Sequence, residues 1–374
     1  MQTRSALSVP LLATASGPHP HEPRAIDPAA DLAACRASLR NGSKTFLAAS
    51  FLLPRGVHEP ASALYAFCRL ADDAVDATGE RHDAVGRLRE RLRLAYAGTP
   101  QDDPADRALA VVVARHGIPQ ALFDALLEGF EWDQQGRRYE TIEALHDYAA
   151  RVAGTVGAMM ALLMGARSTE ALARASDLGV AMQLSNIARD VGEDARMGRL
   201  YLPSDWLREA GIDPDAWLAE PVFSAALGGV VKRLLDAAEA LYTRVGSGIA
   251  CLPLACRPGI NAARFMYAGI GHEVARRGFD SVNGRARVSP SRKLGLLLRS
   301  VALLAPAAGR QPLPTLPANR FLIDAVIASA PRADAPMRRS VVDRVVWTFE
   351  LFARLEQRDR LRAEGRLPGG DLAT

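Results

Sequence analysis

Two short stretches of this chain concentrate side chains that can do chemistry. The first reads Tyr65-Ala-Phe-Cys-Arg69-Leu-Ala-Asp72-Asp73-Ala-Val-Asp76. On an α-helix, at about 100° per residue, Tyr65, Arg69, Asp72 and Asp76 fall within about 60° of one another, with Asp73 at the edge of that face. The second reads Gln183-Leu-Ser-Asn186-Ile-Ala-Arg189-Asp190-Val-Gly-Glu193-Asp194. Gln183, Asn186, Asp190 and Asp194 follow i, i+3, i+7, i+11 and make one polar stripe, opposite Leu178, Val180, Ala181, Leu184, Ile187 and Val191. Carboxylate and amide oxygens are hard ligands that suit Mg²⁺, an ion that keeps waters and bridges to substrate phosphates; Mn²⁺ shares the preference. Two such stripes facing each other would hold a cluster of these ions and clamp a departing diphosphate. Arg69 and Arg189 would add bidentate contacts to its oxygens. The plainer alternative is salt bridging along two solvated helices. It explains one stripe better than it explains two, each carrying amides or an aromatic ring.

The elements that must position these stripes are helical. Apolar residues recur at i, i+3, i+4, i+7 throughout, and sustained period-2 alternation is nearly absent. The pattern predicts helices at about 28–40, 44–51, 60–77, 81–97, 105–115, 119–132, 141–152, 155–164, 169–193, 203–210, 222–249, 256–277, 290–304, 319–328 and 338–363. Gly and Pro punctuate them, as at Pro54–Gly56, Gly117–Pro119 and Gly198–Pro203. The expected architecture is an all-α bundle. It divides into a flexible tail over 1–27, one large domain over 28–304, and a Pro-rich linker with a helical extension over 305–374. The last predicted helix has an apolar stripe from Val342 to Leu355 that would cover the core or pair with a partner.

Composition narrows the function classes. The net charge of +4 over 374 residues is too small for a dedicated nucleic-acid binder, so no nucleic-acid partner is expected. Only Lys44, Lys232 and Lys293 are lysines among 46 basic residues, so a single arginine is a weak signal here. Cys35, Cys68, Cys251 and Cys256 form no C-x-x-C pair and read as reduced, packed thiols in a cytoplasmic protein. No apolar run reaches the ~18 residues of a membrane span. The stretch Lys293–Ala308 is apolar with flanking bases, compatible with core packing or with lying on a membrane surface.

The same residues carry a resemblance. Gly42-Ser43-Lys44-Thr45-Phe46 resembles the N-terminal signature of the squalene/phytoene synthase family. Ala66 to Asp76 resembles the first aspartate-rich motif of that family. Val152-Ala-Gly-Thr-Val-Gly157 is similar to a segment usual between its two motifs. Ala181 to Asp194, followed by Gly198-Arg-Leu-Tyr-Leu-Pro203, resembles the second motif and its exit. The likeness runs in order from about residue 35 to about residue 300, and the C40-forming bacterial branch is nearest.

The resemblance implies an isoprenoid-synthase helical bundle around a central cavity. It implies a Mg²⁺-dependent prenyltransferase that joins two geranylgeranyl diphosphates to prephytoene diphosphate and then forms phytoene, releasing two diphosphates and using no nicotinamide. Carried over by position, Asp72, Asp76 and Asp190 would bind metal with Asn186 assisting, and Asp73, Glu193 and Asp194 follow as candidates. Ser43, Lys44, Arg69, Arg189, Tyr65 and Tyr267 would hold diphosphate, Gln183 would contact substrate, and Arg285 and Arg287 would reach the diphosphate from a basic loop. Phe46, Tyr65 and Tyr267 offer aromatic faces that stabilise a carbocation without attacking it, and a pocket for that cation must exclude water. No histidine is placed to act as a base, so the departing diphosphate is the expected proton acceptor.

Two alternatives follow. A C30 synthase acting on farnesyl diphosphate shares these motifs, since chain length depends on what closes the cavity. A non-catalytic helical assembly factor would be expected to lose the acidic motifs, and both are intact. The substrate's lipid character implies peripheral docking at the inner face of the cytoplasmic membrane. The oligomeric state is not legible.

Overall fold

A computed structural model describes residues 27–42, 44–76, 84–302 and 313–329. The described residues are helical without a strand, as the periodicity requires. The elements are α1 (Pro28–Gly42), α2 (Lys44–Ser50), α3 (Arg55–Asp76), α4 (Ala84–Tyr96), α5 (Pro104–His116), α6 (Gln120–Gln134) and α7 (Ile142–Ala149). A π-turn over Ala150–Gly154 joins α7 to α8 (Thr155–Leu163), and α9 (Thr169–Arg196) follows. Then come α10 (Ser204–Glu209), α11 (Pro214–Ala219), α12 (Ala225–Ala250), α13 (Arg257–Arg276), α14 (Pro290–Ala302) and, after a 3₁₀ turn at Pro317–Asn319, α15 (Arg320–Ala328).

Helix starts follow capping chemistry. Ser168 and Ser224 accept from the backbone N–H three residues on and open the two longest described helices, α9 and α12. Asp103 caps α5 ahead of Pro104. Gly117 closes α5 in the left-handed conformation, φ 56°.

Helix α9 is the axis of the bundle, and its contact with α12 is the most extensive among the described elements. Backbone meets backbone where glycine allows it. A Cβ at Gly157 would lie 2.1 Å from the Ala175 carbonyl oxygen, and one at Gly179 would lie 2.1 Å from that of Ala153. These two glycines let α8 and the π-turn press directly on α9. The core runs along this seam through Leu172, Val180, Leu184 and Ala188 of α9 and Leu227, Leu234 and Val245 of α12.

The structure corrects three boundaries. Helix α3 begins at Arg55, not at Pro60, so Pro60 lies inside it. Proline prefers the first helical position, which drew the predicted start too far along. The break expected between 152 and 155 is a π-turn within one continuous helical run, and such turns sit often at functional sites. The short α11 was not expected; Asp213 caps it and Pro214 fixes its first residue. The tail over 1–27 and the helix over 338–363 lie outside the described residues, Asp27 excepted.

Candidate active site

A cavity of ≈ 320 Å³ opens between α2, α3, α8, α9, α12 and α13. Its wall is almost wholly apolar, including Leu64, Val156, Met160, Leu178 and Ile249. Tyr65 and Cys68 of α3, Gln183 and Asn186 of α9, and Tyr267 of α13 line one part of it. Asp72 lies two helical turns beyond Tyr65, and Asp190 about one turn beyond Asn186. Each acidic stripe therefore continues, along its own helix, from the polar part of the cavity wall. Burial pushes the Tyr65 phenol above its ordinary range, with Arg69 opposing and Tyr267 adding to the shift. Burial likewise pushes the Cys68 thiol up to about 12, so it stays protonated.

On α3, Arg69 straddles both carboxylates: its Nε donates to Asp73 (3.0 Å) and its Nη1 lies 3.5 Å from Asp72. These groups are about half exposed. On α9, Arg189 grips Asp190 with two donors, at 2.7 and 2.5 Å. Arg285 grips the same carboxylate from the loop after α13, at 2.7 Å through Nε, and reaches Glu193 at 3.1 Å.

That loop is placed by backbone. Gly278 and Phe279 are both left-handed, φ 66° and 63°, and turn the chain back after α13. Asp280 accepts from the N–H groups of Val282 and Asn283, closing the turn. Burial opposes ionisation of Asp280, but these hydrogen bonds and the Asn283 amide hold its carboxyl below the ordinary range. The Gly192 N–H donates to the Ser281 carbonyl (3.0 Å), and a Cβ at Gly192 would lie 2.4 Å from the Val282 carbonyl oxygen. The bare glycine inside the second acidic motif is thus what lets Arg285 reach Asp190.

Behind Asp190 lies Asp194, mostly buried. Its burial and the charges of Asp190 and Glu193 push its carboxyl up to about 7, against the opposing pull of Arg199. Asp133 of α6 adds to that field. It accepts from Tyr148 and Tyr201, each at 2.8 Å. Tyr139, Tyr148 and Tyr201 form one aromatic cluster with centroids 5.0–6.2 Å apart. This supporting layer was not foreseen from sequence. Its members come from three separate stretches and share no spacing pattern.

The described side chains leave out several of the expected residues. Ser43 lies outside the described residues. Lys44 and Phe46 belong to α2 and Asp76 ends α3, but their side chains are not among those described. Arg287 is exposed and, unlike Arg285, meets neither acidic stripe. The cavity wall contains no histidine among the described residues.

The site's chemistry fits a divalent cation in donor type. Among the described residues no three histidine, cysteine or carboxylate side chains converge tightly enough to hold a metal by themselves. The carboxylates instead pair with Arg69, Arg189 and Arg285. Mg²⁺ does not require such a cage, since one or two carboxylates suffice when waters and substrate phosphates complete the shell. The raised carboxyl of Asp194 marks a concentration of negative charge that a cation would relieve.

A helical bundle that encloses an apolar cavity beneath a rim of carboxylates and guanidiniums defines a class of proteins, the isoprenoid-synthase fold. Solved structures agree. A dehydrosqualene synthase determined with a bound ligand superposes with a TM-score of 0.69 at 32% identity, covering 74% of this chain and 99% of that one. A squalene synthase from Alicyclobacillus acidocaldarius superposes with a TM-score of 0.62 at 27% identity, covering 67% and 95%. The family model described as squalene/phytoene synthase matches residues 39–292. The phytoene synthase of Cereibacter sphaeroides is 49% identical over 90% of this chain and 97% of its own length. That of Rhodobacter capsulatus is 52% identical over 76% and 84%. This chain belongs to the squalene/phytoene synthase family.

Proposed function

We propose that this chain makes phytoene, condensing two geranylgeranyl diphosphates through prephytoene diphosphate with release of both diphosphates. The observation that supports the reading is one apolar cavity lined by Tyr65 of α3 and by Gln183 and Asn186 of α9, the two helices that carry the arginine-paired acidic stripes. The names of the relatives at 49% and 52% identity support the same reaction.

Asp72, Asp73 and Asp76 on one side, and Asn186, Asp190, Glu193 and Asp194 on the other, would hold Mg²⁺. When bound, it supplies neutralisation of the charge that builds on a departing diphosphate. The rest is done by the chain itself. Arg69, Arg189 and Arg285 turn bidentate donors from carboxylates to diphosphate oxygens, with the fork geometry suited to both. Tyr65 and Tyr267 flank the ionising carbon and offer π-faces to the allylic cation. The wall of Leu, Met, Val and Ala side chains keeps water from that cation. With no histidine on the wall, the final proton leaves to the released diphosphate.

Substrate lipophilicity supports peripheral docking of a cytoplasmic enzyme at the membrane surface. No described helix is long and apolar enough to cross a membrane. Helix α14 exposes Leu298 and carries Arg292, Lys293 and Arg299, a composition suited to anionic lipid. Residues 303–308 of the segment expected to dock lie outside the described residues. Co-flotation with anionic vesicles at low salt is the expected result, and failure to float removes this part of the reading.

Purified protein is incubated with Mg²⁺ and either geranylgeranyl or farnesyl diphosphate, without nicotinamide, and the hydrocarbon is extracted. A C40 hydrocarbon from the C20 substrate is expected. Turnover of farnesyl diphosphate alone to a C30 product would assign the chain to the C30 branch.

A further inference from the structure

The inner part of the cavity is lined by apolar Met164, Ala171, Ile249 and Leu252 and, among them, by one charged residue, the fully buried Arg174 of α9. Arg174 lies 12 residues before Asn186 in the same helix, about 18 Å along it on the side away from Asp190. Helix α12 makes room for it with glycine, since a Cβ at Gly248 would lie 2.1 Å from the Arg174 Cβ. A buried guanidinium is costly unless held, and this one is held from outside the cavity. Its Nη2 donates to the Pro314 carbonyl (3.1 Å), and its Nε lies 3.3 Å from Asp177, an ion pair outside hydrogen-bonding geometry. Both Nε and Nη1 lack a hydrogen-bond partner.

Asp177 is itself fully buried and is tied to the same segment. It accepts from the Asn319 amide (2.9 Å) and from Arg244 Nε (3.0 Å), and Arg244 also donates to the Pro314 carbonyl. Asn319 is fully buried and seated on the π-turn: a Cβ at Gly154 would lie 3.1 Å from its Oδ1. Val152 and Ala153 of that turn line the cavity on their other side. Leu322, Ile323 and Val326 of α15 complete the docking. Residues 313–329 therefore form a strap across the closed end of the bundle, and the strap's polar anchor holds the cavity floor.

We propose that this strap, acting through Asn319, Asp177 and Pro314 on Arg174, fixes the depth of the prenyl cavity and so selects the length of the prenyl chain. This rests on the proposed synthase activity. Arg174 sets where the tail must stop, and Asn319 is a positioning residue that touches no substrate. Shortening Arg174 extends the cavity towards the strap and admits a longer tail. Loosening the strap lets the floor yield.

The test is a competition among C15, C20 and C25 prenyl diphosphates with the full chain, reading the ratio of products. Arg174→Ala is expected to raise use of the C25 diphosphate relative to the C20 at least tenfold. Asn319→Ala is expected to raise it about threefold with little change in turnover number on the C20 substrate. A merely structural role would lower the melting temperature of both variants and leave the ratio unmoved. Ratios within twofold of wild type in folded variants overturn the proposal. If Arg174→Ala does not fold, Asn319→Ala decides by the same criterion. A wild type that turns over none of the three diphosphates overturns the synthase reading itself, an outcome distinct from turnover at an unchanged ratio.

Discussion

The two acidic stripes are alike in sequence and unlike in structure. On α3, Asp72 and Asp73 are 52% and 57% exposed and pair with Arg69 of their own helix. On α9, Asp190 is 14% exposed and gripped by Arg189 and by Arg285 from a distant loop. Exposed pairs within one helix contribute about 0.3–0.5 kcal/mol and reorganise readily. A mostly buried carboxylate with two guanidinium partners does neither. The α3 side can therefore rearrange around an incoming diphosphate, while the α9 side is built in advance. Preorganised charge needs no reorganisation during the reaction and is the stronger source of rate.

The contrast can be broken first at Asp190. Asp190→Asn is expected to lower kcat by at least about 10³-fold, the scale of losing a preorganised electrostatic partner. It should also cost stability. Removing one partner of a buried pair costs about 3–5 kcal/mol, and the exposure of Arg285 reduces that to roughly 1–3 kcal/mol. Steady-state kinetics and thermal melts read the two effects. A smaller loss is expected at Gly192. Gly192→Ala places a methyl against the Val282 carbonyl, and overpacking of this kind costs about 1–3 kcal/mol. The loop should retreat, parting Arg285 from Asp190 and lowering kcat about 10- to 100-fold, on the view that a displacement of about 1 Å costs that much. Wild-type kcat in a folded Gly192→Ala variant would show that Arg285 plays no part.

The smallest effect is expected at Asp280. Its carboxyl sits below the ordinary value of 3.8 in the folded chain. A depressed folded pKa stabilises the fold above the unfolded value and loses that contribution as pH falls through the folded one. The difference in melting temperature between wild type and Asp280→Ala should thus be full near neutrality and shrink as pH falls below 3.8. A difference that grows on acidification would contradict the turn's role.

Much of this was legible in the chain. The all-α class follows from a helical period sustained almost without interruption, and both stripes follow from carboxylates at helical spacing. The apolar periodicity and the Gly and Pro breaks placed the two long helices within a few residues of where Ser168 and Ser224 cap them. The missing parts are those that depend on long-range meetings. The clamp of Arg285 on Asp190 spans 95 residues and is enabled by Gly192, whose lack of a side chain carries no chemical signal of its own. The Asp133–Tyr148–Tyr201 layer and the Arg174–Asp177–Asn319 anchor likewise join distant segments through ordinary-looking residues. Pro60 misled because a proline tolerated inside a helix is indistinguishable in sequence from one that begins it.

The central claim is that both stripes act together on the diphosphate although only one is structurally fixed. The most direct test is the double variant Asp72→Asn/Asp73→Asn, assayed for hydrocarbon formation and thermal stability beside Asp190→Asn. The α3 variant is expected to lose turnover by at least about 10²-fold with its melting temperature unchanged, because its carboxylates are half exposed and pair with Arg69 within one helix. Retention of turnover within about threefold would contradict the claim, leaving α9 as the only stripe that meets the substrate.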